Sequence, residues 1–229
     1  MKPGQIFKKV KKDKRKSLLE FEARQILEHY KIPLAKWGLA KKVTDATDLS
    51  KKFGFPVVLK IVSRDIIHKA DVGGIFLNLN SEIEVEHAFN QIIKNVKKHN
   101  PKTRIDGIIV QKMINGGQEV IVGGKKDPQF GQVMMFGGGG AFVELLEDVA
   151  FRVVPVSKKD AEEMMQETKF YQILKGFRGK KYDVSSVLDI LLKASKLLEQ
   201  NPGITELDLN PVIVCQEKAF VVDARIAVE

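Results

Sequence analysis

VVLKIVSRDIIHKADVGGIFLNL, residues 57–79, is the stretch on which the reading of this chain turns. It opens on Val57-Val58-Leu59, an apolar, β-branched run that predicts a buried strand. A single charge, Lys60, ends that run, and a lysine so placed is costly unless it meets an anion. A polar loop follows, Ser63-Arg64-Asp65 and then His68-Lys69, before Gly73-Gly74 lead into a second strand at Ile75-Phe76-Leu77. Glycines let a backbone pass close to a phosphate chain and turn N–H groups toward it. The pattern therefore predicts a strand–loop–strand covering a polyphosphate, with Lys60 against it, Gly73 and Gly74 beside it and His68 at the loop tip. The spacing fits neither G-x-x-x-x-G-K-[ST] nor G-x-G-x-x-G. An ordinary hairpin with a solvated basic loop has the same pattern.

The rest of the chain bounds that reading. Its 229 residues, 44% hydrophobic and 29% charged, suit a globular protein with one large or two small domains. No apolar run approaches the roughly 20 residues that span a bilayer, and the basic N-terminus lacks a signal peptide's apolar segment. A single cysteine, Cys215, excludes an internal disulfide. An intracellular, cytoplasmic protein is expected. The net charge of +9 is local: residues 1–16 hold eight basic residues and one acid, Asp13, so they carry +7 of it. Those residues read as a basic mobile arm with little apolar content, suited to an acidic partner surface rather than to nucleic acid.

Ser17 with Glu20 and Ser81 with Glu84 have the spacing of capping boxes. They predict helices running to about Tyr30 and over the apolar stripe Val85, Ala88, Phe89, Ile92, Ile93 and Val96. Further helices are expected from Thr44 to Gly54, over 158–168 after Ser157, and over 184–200 after Asp183. Strands are expected at Pro33–Ala40, Gly107–Met113, Glu119–Val122, Gln132–Phe136, Phe151–Val154, Thr205–Leu209 and Ala219–Val222. The order gives a β-α-β-β-α-β unit before about residue 110 and a larger, glycine-rich sheet after it. This is an α/β chain of the α+β type, without the strict alternation of a doubly wound sheet.

Three groups of residues bear chemistry. His68 is the one histidine in a glycine-flanked loop, either solvated or a nucleophile and phosphate carrier. In Thr205-Glu206-Leu207-Asp208-Leu209-Asn210-Pro211, strand alternation puts Glu206, Asp208 and Asn210 on one face. Asp223, in AFVVDAR, ends a neighbouring antiparallel strand, and a tight return sets it beside Asn210. Carboxylate and amide oxygens suit Mg²⁺ whose shell substrate phosphates complete; a solvated acidic edge is the other reading. Last, Gln111-Lys112-Met113-Ile114 offers backbone groups to an adenine edge, with Glu119 placed for ribose hydroxyls.

Taken together, these residues resemble the ATP-grasp family, and more narrowly the β subunits of ADP-forming acetyl-CoA synthetases, relatives of the succinyl-CoA synthetase β subunit. The segments that carry the resemblance are 18–34 (LLEFEARQILEHYKIPL), 55–79 (FPVVLKIVSRDIIHKADVGGIFLNL), 108–131 (IIVQKMINGGQEVIVGGKKDPQFG), 136–155 (FGGGGAFVELLEDVAFRVVP) and 204–212 (ITELDLNPV). DIIHKADVGG is the most specific of these motifs.

The resemblance implies an ATP-grasp fold of two subdomains, 32–109 against 17–31 with 110–229, gripping ATP or ADP between two sheets. It implies phosphate contacts by Lys60, Gly73 and Gly74, an adenine strand at Gln111, Met113 and Ile114, and a ribose contact at Glu119. Asn210 and Asp223 would hold Mg²⁺, with Asp208 and His68 as the catalytic residues. His68 falls on the histidine thought, in that family, to take a phosphoryl group from a phosphohistidine of an α subunit and pass it to ADP. The implied reaction is acetyl-CoA + ADP + phosphate ⇌ acetate + CoA + ATP. It needs a partner α subunit that binds CoA, in an α₂β₂ assembly. Another ATP-grasp carboxylate ligase working through an acyl-phosphate, or a non-catalytic nucleotide sensor, are the competing expectations.

Overall fold

The computed structural model describes residues 2–66, 68–140, 147–176 and 179–229. They form two compact units, Ala35–Asn115 and Met1–Leu34 with Gly116–Glu229. Residues 141–146, inside the 136–155 segment of the resemblance, and Ile67 in the His68 loop lie outside the described residues.

The smaller unit runs β1 (Trp37–Ala40), α1 (Val43–Phe53), β2 (Val57–Val62), β3 (Ile75–Leu79), α2 (Glu82–His99), β4 (Gly107–Lys112). This is the expected β-α-β-β-α-β order. The strands form one antiparallel sheet in the order β1-β4-β2-β3. Its core is built from alternation: Val57, Leu59 and Ile61 of β2 and Ile108 and Val110 of β4 pack with Val85, Ala88, Phe89, Ile92 and Val96 of α2. Burying each of the valine, leucine, isoleucine and phenylalanine side chains among them contributes about 1.5–3 kcal/mol. Ser81 caps α2 by accepting the Glu84 N–H at 3.2 Å, and Gly54, at φ 77°, ends α1 in a conformation that glycine alone adopts cheaply.

In the larger unit the helices are α3 (Pro3–Lys12), α4 (Glu20–His29), α5 (Lys158–Glu167), α6 (Phe170–Gly176) and α7 (Val184–Gln200). Its strands are β5 (Gln118–Asp127), β6 (Gly131–Gly138), β7 (Val149–Val153), β8 (Ile204–Val214), β9 (Ala219–Val221) and β10 (Arg225–Val228). They form an antiparallel sheet ordered β10-β8-β5-β6-β7, with β9 also on β8. Ser157 and Asp183 cap α5 and α7 through the N–H groups of Asp160 and Ser186.

Four expectations are corrected. Residues 1–16 are not a mobile arm: α3 buries Ile6 and Val10 in the main core, and both are 1% exposed or less. Arg15 donates to both oxygens of Glu22, whose side chain is 2% exposed, at 2.7 and 3.0 Å. The first long helix begins at Glu20, because Glu22 rather than Ser17 closes the cap, accepting the Leu19 N–H at 3.0 Å. The unit boundary falls after Asn115 instead of before Val110, since β4 pairs with β1 and β2. Finally, β2 does not end at Lys60 and β8 does not end at Leu209. Each continues, to Val62 and to Val214.

Candidate functional site

In the smaller unit Lys60 and Gln111 share a face. Lys60 pairs with Ile109 and Ile75, and Gln111 pairs with Val58 and Trp37. Alternation sends Val57, Leu59 and Ile61 into the helix-covered core and leaves Val58, Lys60, Ile109 and Gln111 on the opposite face. Both polar residues are nonetheless buried, Lys60 at 7% and Gln111 at 3% exposed. Beyond β4 the chain is held by its own hydrogen bonds. The Met113 N–H donates to the Pro56 carbonyl at 3.1 Å, and Lys112 Nζ donates to the carbonyls of Gly54 and Phe55 at 3.0 and 2.6 Å. Among the described residues no backbone carbonyl takes the Ile114 N–H. An adenine edge would therefore meet the Met113 carbonyl and the Ile114 N–H, not the Met113 N–H.

His68 is exposed on the loop between β2 and β3. The base of that loop is tied at several points. Arg64 pairs with Asp106 at 3.2 Å, and Asp65 accepts the Arg104 N–H at 2.7 Å. Asn95 Nδ2 of α2 donates to the Gly73 carbonyl at 3.0 Å, and its own Oδ1 accepts from Gln91 at 2.7 Å. Gly73 has φ 61° and donates its N–H to Ala70. A Cβ on Gly74 would lie 2.4 Å from Ile61 Cγ2 and 2.9 Å from the Lys69 carbonyl. The two glycines, read from sequence as phosphate contacts, here form a close-packed, hydrogen-bonded loop end.

The larger unit brings Asp208, Asn210 and Asp223 onto adjoining strands. β9 and the start of β10 pair with β8 in the same register, Val212 opposite Val221 and Asp208 opposite Arg225, and that register shifts only beyond Ala227. Between these pairs the register sets Asp223 opposite Asn210. The Val222 N–H donates to the Pro211 carbonyl at 3.1 Å, which holds the gap between β9 and β10 closed. Both strands change parity here. Leu209 and Val212 are core residues with Asn210-Pro211 between them, and Val221 and Ala224 are core residues with Val222-Asp223 between them. On the other side of β8 the pairing with β5 shifts register between Val120 and Val122, opposite this point. A bulge of this kind re-aims side chains; here it takes an amide and a carboxylate out of the core directly across from each other.

The electrostatics of this corner favour a cation. Asp208 is half-buried, and its carboxyl is held above the usual aspartate range, first by burial and then by the negative charges of Glu206 and Asp223, with Arg225 opposing. Among the described residues no cluster of three His, Cys, Asp or Glu forms a ready-made metal cage. Two hard protein donors, Asn210 and Asp223, with Asp208 near, fit Mg²⁺, which keeps several coordination positions for water and substrate phosphates.

Glu119, at the start of β5, is exposed and pairs with Ile213. Gly139 donates its N–H to the Glu119 carbonyl at 2.7 Å, and a Cβ on Gly139 would lie 2.7 Å from Glu119 Cβ. Gly139 was not singled out from sequence, although the four-glycine run 137–140 was its signal: only a residue without a side chain lets the end of β6 lie against Glu119. Arg24 was missed too. Among the described residues it heads the fully buried side chains by volume, one helical turn after Glu20 on α4.

Residues 9–228 match the family model for the ATP-grasp domain. The chain is 43% identical over 225 residues to the β subunit of acetate–CoA ligase [ADP-forming] I of Pyrococcus furiosus, covering 98% of this chain and 97% of that protein. It is 49% identical over 205 residues to acetate–CoA ligase [ADP-forming] I of Archaeoglobus fulgidus, covering 89% of this chain but spanning only 30% of that longer protein. It is also similar in structure to the Candidatus Korarchaeum cryptofilum acetyl-coenzyme A synthetase 1 in complex with coenzyme A and Ca-AMPCP, with a TM-score of 0.94 and 47% identity over 98% of this chain and 99% of that one. A structure of the same enzyme with Mg-AMPPCP, described as having its phosphohistidine segment pointing towards the nucleotide-binding site, matches at a TM-score of 0.87 and 43% identity over 99% of this chain and 100% of that one. With β8 bulged against β5 and a buried strand lysine, the chain belongs to the ATP-grasp family, in the line of the ADP-forming acetate–CoA ligase β subunits.

Proposed function

We propose that this chain is the nucleotide-binding β subunit of an ADP-forming acetyl-CoA (acyl-CoA) synthetase, moving a phosphoryl group between a phosphohistidine and ADP. The observation that carries this reading is the register that sets Asn210 opposite Asp223, because two hard donors with phosphates completing the shell is the arrangement Mg-nucleotide chemistry requires. In this reading Lys60 takes the phosphates, Gly73 and Gly74, whose N–H groups go to the Ala70 and Lys69 carbonyls, shape the loop that carries His68, Gln111, Met113 and Ile114 take the adenine, and Glu119 the ribose. Asn210 and Asp223 hold Mg²⁺, with Asp208 beside them. When bound, the ion neutralises charge on the transferring phosphoryl group.

His68 accepts the phosphoryl group from the partner's phosphohistidine. One P–N bond breaks as another forms on its imidazole, and that bond in turn breaks as a terminal oxygen of ADP takes the group. A neutral imidazole is a competent nucleophile for the first step. The net reaction is acetyl-CoA + ADP + phosphate ⇌ acetate + CoA + ATP. The CoA and acyl chemistry belongs to a partner α subunit in an α₂β₂ assembly in the cytoplasm. The longer Archaeoglobus relative, of which this chain spans 30%, supports a second component. In the described residues no helix is long and apolar enough to cross a membrane.

A second reading is favoured by the Korarchaeum structure whose phosphohistidine segment points towards the nucleotide site. The partner's histidine then delivers directly to ADP, and His68 only positions it. Mixing this chain with a partner carrying radiolabelled phosphohistidine separates the two. Label recovered on His68, acid-labile and base-stable, supports the relay. Label that reaches ADP without passing through this chain leaves direct delivery.

A further inference from the structure

Arg24 has no exposure at all, an unusual place for a side chain that is costly to bury unless paired. Its Nε and Nη2 both donate to Glu20 Oε1, at 3.0 and 2.8 Å. The same Nη2 donates to the Val222 carbonyl at 2.6 Å. That carbonyl belongs to the peptide unit joining Val222 to Asp223. In the preceding peptide unit, the N–H of the same Val222 is fixed to the Pro211 carbonyl, next to Asn210. Arg24 therefore meets the backbone between the two candidate metal ligands, from the α4 side.

Packing alone does not account for an arginine here. A buried ion pair is often no more stabilising than apolar side chains of the same volume, so methionine at 24 and leucine at 20 would fill the space. With Glu20 neutralising the guanidinium, Arg24 also brings little net charge to the site. What the pair adds is direction. A guanidinium with two of its nitrogens on one carboxylate oxygen has a restrained plane, and the bond from Nη2 to a carbonyl then sets that carbonyl's orientation. We infer that Arg24 is a positioning residue for the Mg²⁺ site: it locks the Val222–Asp223 peptide, and with it the aim of the Asp223 carboxylate across from Asn210, while Glu20 locks Arg24. The inference rests on the reading of Asn210 and Asp223 as Mg²⁺ ligands.

The test is calorimetric binding of ADP to the full chain, with and without Mg²⁺, and the quantity read is the factor by which Mg²⁺ tightens ADP. A residue that supports a metal ligand from outside typically costs about 10–100-fold in metal affinity when replaced. Arg24→Met should remove that much of the Mg²⁺ enhancement while metal-free ADP binding stays within about twofold. Mn²⁺ bound in the presence of ADP, followed by electron paramagnetic resonance, should weaken in parallel. Arg24→Lys keeps the charge and one donor but not the fork, so it secures the test where Arg24→Met fails to fold, and it should lose part of the enhancement. A lower melting temperature with the full Mg²⁺ enhancement kept in Arg24→Lys would make Arg24 merely structural and overturn the inference. Asp223→Asn distinguishes the underlying reading. If the wild-type chain shows no Mg²⁺ enhancement, or Asp223→Asn keeps it, the metal assignment fails. If Asp223→Asn loses it and Arg24→Lys does not, only the role of Arg24 fails.

Discussion

The loop carrying His68 and the ladder carrying Asn210 and Asp223 serve the same proposed chemistry by opposite means. His68 is exposed, and the ties around it are at the base of the loop, from Arg64, Asp65, Gly73 and Gly74. The pairs Asn210-Pro211 and Val222-Asp223 are each flanked by core residues, Leu209 and Val212 on β8 and Val221 and Ala224 opposite, with Arg24 behind them. A group that must meet a partner belongs on a tip that a few hydrogen bonds hold. A group that must stay within a fraction of an ångström of a cation belongs where neighbouring side chains fix the backbone.

The largest effect should come from the loop. His68→Ala should abolish ATP formation by the assembled enzyme and leave ADP binding by this chain unchanged in calorimetry. Full turnover would leave His68 as a solvated side chain, and partial turnover would favour direct delivery by the partner. Next, deleting residues 1–16 should undermine the ladder's unit. It removes Ile6 and Val10 from the core and strips Glu22 of Arg15 and Lys9. Breaking a buried pair alone costs roughly 3–5 kcal/mol. A melting temperature unchanged by the deletion would return the segment to a dispensable arm.

Asp223→Asn should cost about 2.7–4 kcal/mol of transition-state stabilisation, the range for single electrostatic contributors. The fold should be intact by circular dichroism. Normal turnover at limiting Mg²⁺ would take Asp223 out of the site. A smaller effect is expected for Asn95→Ala, which frees the Gly73 carbonyl at a cost of about 1 kcal/mol. Hydrogen exchange over 69–74 should rise while that over β8 does not; uniform exchange would erase the contrast between loop and ladder. Gly73→Pro is not a clean way to stiffen this loop, because Gly73 has φ 61° and uses its N–H.

The smallest effect concerns Asp208. Its folded-state pKa is raised, so the stability linked to it is full below the ordinary aspartate pKa and is lost as pH rises through the raised value. Without Mg²⁺, Asp208→Asn should therefore raise the melting temperature slightly at pH 8 and not at all well below pH 4. The same gain at both values would mean that charge is not its cause.

How legible each region was in the sequence follows from the range of the forces involved. The β-α-β-β-α-β order could be read because alternation and caps are local. The parity change around Asn210-Pro211 went unread: the strand was expected to end at Leu209, and only its continuation to Val214 shows Leu209 and Val212 both in the core. Helix α3 could not be read: Ile6, Phe7 and Val10 are a narrow stripe among lysines, and their burial depends on a core that joins helix α4 to strands and helices beyond residue 119. Nor could Arg24, since an arginine one turn after a glutamate is usually a surface pair. It becomes informative only once both are known to be buried. The loop glycines were recognised as special, but whether they yield or brace depends on Asn95 and Ile61.

The bond from Arg24 to Val222 spans 198 residues, and this has a consequence during synthesis. Helix α4 leaves the ribosome long before its acceptor, with a charged pair that will end without exposure. The acceptor, and the strand that sets Asp223 across from Asn210, emerge almost two hundred residues later. Until then the nascent chain holds Glu20 and Arg24 without their final cover, and Asn210 without its opposite number. Mg-nucleotide capture by this unit should therefore switch on abruptly, when residues up to about Ile226 have cleared the exit tunnel. Ribosome-bound chains stalled before β9 should fold the smaller unit without gaining it.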